Sequence, residues 1–445
     1  MNPEEEIARY LKNGLLKKGA SDVVVSVQTK DSQLIKYSNN KINTTKKWEL
    51  TNIGVFVCYD KRIVVTDIRD ISKRSAEATI KSIISLAKAS QPNREYQGIA
   101  KGPFKYKKTV EGYDKKIVEL GEKGIDYVED AINLSIAEGV KRCSGVFEFG
   151  DDSIFLTTSN NVETREKATR AYFSIRAFKD KNASGHMVSV SRILKRLEIN
   201  KAVLKATSIA NQAVNPKNIA SGKYDVLFDH LPFANILASA GGASSIFSVE
   251  SGFSYLNNKL NRKVASDIIT LIDDGTLRNG LNSTMFDAEG VPTKKNFIIK
   301  GGILKTYLHN TSTAKRYKTK TTANAGLIAP EPFNIVLKTG KLNKSEMISQ
   351  TKRGIYLTNV WYTRFQNYQT GDFSTIPRDG AFLIKNGKIA YPIKNIRLSD
   401  NMVNILKSTI ALGKEAVQIQ GWEVGTPITT PMALVKKLNI TRSEK

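Results

Sequence analysis

Three histidines and two cysteines are all that 445 residues supply of the strongest metal ligands and nucleophiles. His186, His230 and His309 lie far apart, and none has a His or Cys three or four positions away. Zinc takes three or four such ligands, usually two from one element, so a centre built from several imidazoles or thiolates is nearly excluded. HExxH is absent, as are GxSxG, GxxxxGK[ST] and a strand-GxGxxG-helix unit, which removes motif support for a common metalloprotease, a serine hydrolase and a nucleotide binder. Cys58 and Cys143 have no CxxC partner and cannot form a disulfide framework, which fits a reducing cytosol. No stretch approaches the roughly 18 apolar residues of a membrane helix. The start, Met1 to Glu6, is acidic and then amphipathic, opposite to a secretory signal. The expectation is a soluble cytoplasmic protein. Acidic residues are also short: 42 Asp+Glu face 68 Lys+Arg, a net charge of +26 that asks for nucleic acid, an anionic surface or an acidic subunit.

What is present reads as a folded α+β chain of several domains. Ile7, Tyr10, Leu11, Leu15 and Leu16 share helical spacing over Glu5–Lys18, and Ala76, Ile80, Ile83, Ile84 and Ala87 do so over Ser72–Ser90. Residues 22–28, 34–38 and 52–60 are β-branched strands between them. A turn-forming connector, Gln91–Gly102, sets a boundary near 95, so 1–95 is a strand-helix N-terminal unit. The middle segment, 96–218, is α/β, with helices near 126–138 and 202–214 and strands at 144–148, 153–158 and 170–178. Asn215-Pro216 closes it. Residues 219–445 form a β-rich C-terminal domain with strands at 225–228, 267–272, 296–299, 333–337, 354–360, 381–385 and 388–392, and helices at 231–240 and 400–412. Asn386-Gly387 between two alternating runs is a hairpin signal.

Few features point to chemistry. Asp273, Asp274, Asp287 and Glu289 offer oxygen to a Mg²⁺ or Ca²⁺ ion, although DDG reads first as a turn. Cys58 lies inside an apolar strand; Cys143 follows Lys141-Arg142, a basic neighbourhood that would lower its pKa. Gly241-Gly242 within Ser239–Ser245 either lets an extended ligand approach closely or ends a helix. Lys315, Arg316, Lys318 and Lys320 interleave with Tyr317, and Lys105, Lys107 and Lys108 flank Tyr106, as a single-strand binder requires. No run reaches five like charges, so a dispersed solvated surface is favoured over a nucleic-acid groove.

IDDG (272–275), FDAEGVPT (286–293), TGDFS (370–374) and NGKIAYPI (386–393) follow one another in the C-terminal half, after GVFVCYDKRIVVTDIRDIS (54–72) and SNNVETREKATRAYFSIRAF (159–178). In this order they resemble the TldD/PmbA family, long called modulators of DNA gyrase, over essentially the whole chain. The resemblance makes Asp273, Asp274, Gly275, Asp287, Glu289, Gly290, Thr370, Gly371, Asp372 and Ser374 family-motif residues. It also implies two arms. The TldD type is a zinc metalloprotease with HExxxH on a helix and a cysteine near the C-terminus; the PmbA/TldE type lacks these and pairs with the first. Here Leu237 and Gly242 fall at the two histidine positions and Ala238 at that of the catalytic Glu, and residues 415–434 hold no cysteine. The resemblance therefore implies an inactive subunit binding no cofactor, its zinc in a TldD-type partner, as a heterodimer or larger assembly, or a homodimer. Ser239, Gly241, Gly242 and Ser244 become candidates to line a cleft where an unfolded peptide lies extended along a sheet edge. The rival expectation is a basic DNA- or gyrase-associated protein. Because the charge is evenly spread, nucleic acid is disfavoured, no membrane is expected, and an acidic catalytic partner is anticipated.

Overall fold

A computed structural model of the chain describes residues 3–70 and 72–442; Met1 and Asn2 of the acidic start lie outside them. The first half is one antiparallel sheet of six strands: β1 (Asp22–Ser38), β2 (Lys41–Tyr59), β3 (Arg62–Ile68), β4 (Arg142–Thr158), β5 (Glu163–Phe178) and β6 (Ser184–Ser191), in the order β3-β2-β1-β4-β5-β6. Alternation along β1 and β2 gives the sheet two apolar faces. Val23, Val25, Val27, Ile53 and Val55 pack under helices α1 (Pro3–Lys17) and α2 (Lys73–Ala89). Val24, Phe56 and Cys58 meet Tyr96, Ile99 and Phe286 on the other face. Short α3 (Lys115–Val118) precedes α4 (Gly124–Ala137), which with α5 (Ile199–Gln212) covers Phe147, Phe149, Phe173 and Ile175 of β4 and β5.

The anticipated helices and hairpin are there, but several strands are longer than expected. Residues 22–28 and 34–38 belong to one strand, as do 144–148 and 153–158. The polar stretches between them interrupt the apolar pattern, yet they pair with each other across the sheet: Asp31 lies opposite Asp151, Thr29 Oγ1 sits 2.5 Å from Ser153 Oγ, and Lys30 bonds Glu148 at 3.0 Å. This pairing of β1 with β4 joins strands from either side of residue 95. Gly145 marks the closest packing in the sheet. Tyr37, buried in β1, donates its hydroxyl to the Ser174 carbonyl on β5 at 3.0 Å, passing over the hydrogen at Gly145. A methyl group there overlaps that carbonyl, so Gly145→Ala should lower stability by about 2–3 kcal/mol in thermal unfolding; an unchanged melting temperature would contradict this packing.

The second sheet branches around one strand. In chain order it contains β7 (Gly222–Phe228), β8 (Leu271–Asp274), β9 (Lys295–Lys300), β10 (Ile303–Leu304), β11 (Ile335–Leu337), β12 (Arg353–Leu357), β13 (Val360–Asn367), β14 (Asp372–Pro377), β15 (Ala381–Lys385), β16 (Lys388–Pro392), β17 (Ile396–Asn401), β18 (Thr409–Gly421) and β19 (Val424–Arg442). The path is β10-β9-β8-β11-β19-β7-β12-β15-β16, while β19 also pairs with β17 and β18, and β13 joins through β14. Asn386 and Gly387, with φ of 49° and 73°, make the two-residue turn between β15 and β16. The helix expected at 400–412 is shorter: α10 (Met402–Ser408) stops where β18 begins, and Ala411 and Leu412 pair with β19. Helix α6 (His230–Ala243) packs on β19, followed by the short α7 (Ile246–Glu250), α8 (Thr311–Arg316) and α9 (Lys344–Ser349).

Candidate functional site

Helix α6 starts where Asp229 caps it, the carboxylate accepting the His230 N–H at 2.7 Å. Pro232 falls in the first turn, where a missing N–H breaks no helical bond. Every residue from His230 to Leu237 is buried, so the helix has no polar face and serves as core. The Leu237 side chain is fully buried, Ala238 is half-buried, and Gly242 is exposed with open space where a side chain would stand. None of the three carries a donor atom, and Leu237 and Gly242 face different surroundings. These residues do not fit a zinc ion.

The small residues divide likewise. Gly241 is pressed against β11, where a Cβ would meet Ile335 at 3.0 Å. Ser244 is buried and closes the helix, its Oγ donating to the Gly241 carbonyl at 2.6 Å. Ser239 bonds the Ile236 carbonyl at 2.9 Å and lies 3.3 Å from the Tyr255 hydroxyl. Thus Ser239 and Gly242 lie toward the open side, while Gly241 and Ser244 face the core. That side is bordered by β13, whose Thr363 hydroxyl donates to Asn235 of α6 at 2.5 Å, and by the turn at Trp422 and Glu423. Exposed aromatic side chains cluster in this region: Phe253 packs edge-on against Tyr368, Tyr362 sits beside Trp361, and Trp422 is 88 % exposed. Among the described strands β13 pairs with β14 alone, leaving its other edge free.

The motif carboxylates do structural work. Asp273 accepts the Phe333 N–H at 2.7 Å and the Asn324 amide at 2.6 Å. Asp274 accepts Thr276 through its N–H and hydroxyl and pairs with Lys295 at 3.2 Å. Asp287 gathers the N–H groups of Glu289, Val291 and Ala325, and Glu289 takes those of Ala100 and Thr311. Burial pushes the Asp273 carboxyl up to about 7. It also raises Asp287 and Glu289, the latter further because of its neighbour's charge. The bonds to Phe333, Asn324, Ala325, Ala100 and Thr311 join these loops to distant segments, and those to Thr276, Glu289 and Val291 shape the loops themselves. No group of three or more His, Cys, Asp or Glu among the described residues could hold a metal ion.

Gly275 and Gly290 leave room for Thr293 and Val162 respectively. In TGDFS, Gly371 adopts φ of 85° against the Tyr255 ring, a backbone that side-chain-bearing residues rarely take. The Thr370 hydroxyl donates to Asp372 at 2.5 Å, Asn401 at the start of α10 donates to Asp372 at 2.9 Å, and Ser374 accepts from Arg397 at 3.1 Å. Tyr255, which touches both this turn and Ser239, carried no sequence signal because it lies in an irregular loop without apolar periodicity. Glu166 was equally silent, yet from β5 it holds Thr284 and Met285 at 2.7 and 2.8 Å, tying the first sheet to the FDAEG loop.

The remaining candidates resolve into core. All three histidines are bonded inside the fold, His186 between Ser174 and Asn359, His230 on Asp229 and His309 beside Thr313. Cys143 is fully buried and burial raises its pKa, opposite to the expectation from Lys141-Arg142, because the Arg142 guanidinium turns away over the Phe178 ring. Tyr106 is spent on the Gly290 carbonyl, Lys315 on the Gln97 carbonyl and Arg316 on Glu95 and Glu250, whereas Lys105, Lys107, Lys108, Tyr317, Lys318 and Lys320 stay exposed, so the two basic-aromatic stretches are only partly engaged. No helix among the described residues is long and apolar enough to cross a membrane.

Residues 221–442, holding α6 and the branched sheet, match the PmbA/TldA metallopeptidase C-terminal domain, so the class is metallopeptidase-related. The metalloprotease MJ0996 of Methanocaldococcus jannaschii is 27 % identical over 406 residues, covering 86 % of this chain and 88 % of that protein. The chain belongs to the PmbA/TldD family. Its fold is shared by the Thermotoga maritima protein TM0727, a candidate modulator of DNA gyrase, with TM-score 0.85, 22 % identity and coverage of 98 % of this chain and 100 % of that one. TldE from Thermococcus kodakarensis has TM-score 0.84 and 18 % identity, covering 99 % and 100 % of the two chains.

Proposed function

We propose that this chain is a non-catalytic TldE/PmbA-type subunit of a cytosolic TldD/TldE zinc metalloprotease that processes or degrades unfolded peptides. The observation that carries this reading is a family fold spanning the chain, with Leu237, Ala238 and Gly242 where the resemblance puts ligands and base. The partner supplies zinc, glutamate and cysteine. This chain supplies a wall of the chamber, with the exposed aromatics and the free β13 edge beside α6 as contact surface for peptide or partner. Its charge of +26 suits an acidic partner, with assembly weakening as salt rises.

Metal analysis and a peptidase assay on an unfolded polypeptide test the reading. The lone chain should hold no stoichiometric zinc and cut nothing, and an added TldD-type subunit should restore cleavage. One zinc per chain with proteolysis by the lone chain would overturn it.

A further inference from the structure

A second site lies away from α6, where the β5–β6 turn, the end of α5 and the loops before β15 and β17 meet around a cavity of about 310 Å³. We propose that this cavity binds a small molecule through a phosphate-class oxyanion. Its lining includes Arg142, Arg176, Lys181, Arg378 and Lys394, with a single acid, Asp379.

That acid is already engaged. The Asp379 side chain is fully buried and bonds Arg176 at 3.2 Å, the Ser184 hydroxyl at 2.6 Å and the Asn359 amide at 2.7 Å. Its charge is matched by Arg176. Arg142, Lys181, Arg378 and Lys394 have no carboxylate at salt-bridge distance among the described residues. Four cations therefore border one small space without counter-charge, a repulsion that a bound anion relieves.

The guanidinium groups are also held ready. Arg378 lies 3.8 Å over the Trp361 ring and Arg142 3.9 Å over that of Phe178. A stacked guanidinium keeps its N–H fork in the plane of the group, free to grip two oxygens of a phosphate or carboxylate. Asp379 holds φ at 63°, a conformation that costs a non-glycine residue free energy and is sustained here by its buried bonds. That turn fixes the direction of Arg378 beside it. Partial burial and the neighbouring Arg176 lower the Arg378 pKa, and the nearby Asp379 offsets this only in part. The volume is near the small end of ligand sites, roughly 300–1,000 Å³, enough for pyrophosphate or a phosphorylated metabolite and too small for a duplex. Pro377, Pro392 and Ile393 add apolar wall for the rest of such a molecule.

Calorimetric titration of the full chain with inorganic pyrophosphate at constant ionic strength tests the site. Binding should saturate, and the double substitution Arg378→Gln with Lys394→Gln should weaken it about tenfold or more, the loss of one or two charge-assisted bonds. Lys36→Gln, at an exposed position on β1, should leave it unchanged. Arg378→Lys keeps the charge without the fork and should give an intermediate loss, which guards against misfolding of the double variant. Absence of saturable heat up to about 10 mM, a range that reaches binding weaker than about 4 kcal/mol, would overturn the site. So would equal losses in the double variant and Lys36→Gln, or displacement of pyrophosphate by a short oligonucleotide at equal phosphate concentration, since that ligand would be nucleic acid.

Discussion

Replacing Asp229 with Ala should cost the fold about 3–5 kcal/mol, the range for removing one partner of a buried ion pair. Asp229 is 2 % exposed and holds four groups at once. One oxygen accepts from the Lys205 ammonium, the His230 N–H and the His230 ring, each at 2.7 Å; the other accepts from the Tyr356 hydroxyl at 2.5 Å. Without the carboxylate, Lys205 is left unmatched at the edge of the core, Tyr356 loses its acceptor, and α6 loses its cap. Burial works to raise the Asp229 pKa, but Lys205 and His230 outweigh it and hold the carboxyl well below its ordinary value. A depressed carboxyl contributes stability above its unfolded pKa of about 3.9 and loses it as the pH falls toward the folded value. The difference between wild type and Asp229→Ala should therefore shrink in strong acid. Asp229→Asn keeps an acceptor for the cap and should lose less. Denaturant midpoints of the three chains at pH 7 and pH 3 decide the matter, and a loss under about 1 kcal/mol at pH 7, the worth of a cap alone, would refute the buried pair. Because α6 carries positions 237–242, the same substitution should loosen the wall proposed to face the partner.

Local pattern made much of this architecture legible, and long-range pairing set the limit. Helical spacing located α1, α2, α4 and α5, and Asn386-Gly387 located its hairpin, since each signal is local. Asn39-Asn40 and Asp60-Lys61 also turn with positive φ at both residues, but without glycine they gave no comparable cue. Mid-strand residues such as Lys30–Ser32 and Gly150–Asp152 fell outside the expected strands because their polarity is satisfied by strands over a hundred positions away. The IDDG and FDAEG carboxylates stood out as motifs, yet their task could not be read. Their partners are backbone N–H groups of Ala100, Phe333 and Ala325, which no spacing reveals. The cationic cavity was hidden for the same reason, its charges coming from four separate stretches of a chain whose basic residues look evenly dispersed.

Those buried carboxyls give the chain an unusual dependence on pH: stability should fall as the pH rises from about 6.5 through about 7.5. Asp273 ionises near 3.9 when unfolded and at about 7 when folded, so between these values the native state holds a proton that the unfolded chain has lost. Each such group lowers stability by about 1.4 kcal/mol per pH unit across that window. The Asp287–Glu289 pair adds to the fall, because burial raises both. His186 and His309 oppose it. Burial lowers each to about 4, against about 6.5 unfolded, so the unfolded chain binds more protons and stability rises with pH until the histidines are neutral in both states. Below about pH 6.5 the two histidines offset only part of the effect of the three carboxyls, and above it the carboxyls act almost alone. Melting temperatures at pH 5.5, 6.5 and 7.5 should fall from step to step, and Asp273→Asn, which cannot ionise, should make the fall smaller and leave the share of Asp287 and Glu289. Stability that rises from pH 6.5 to 7.5, or a fall of equal size in the variant, would mean that Asp273 is ionised in the native state. A carboxyl that keeps its proton near neutrality is a weak ligand for a hard cation, so the same titration separates a loop tie at Asp273 from the Mg²⁺ or Ca²⁺ site its sequence allowed.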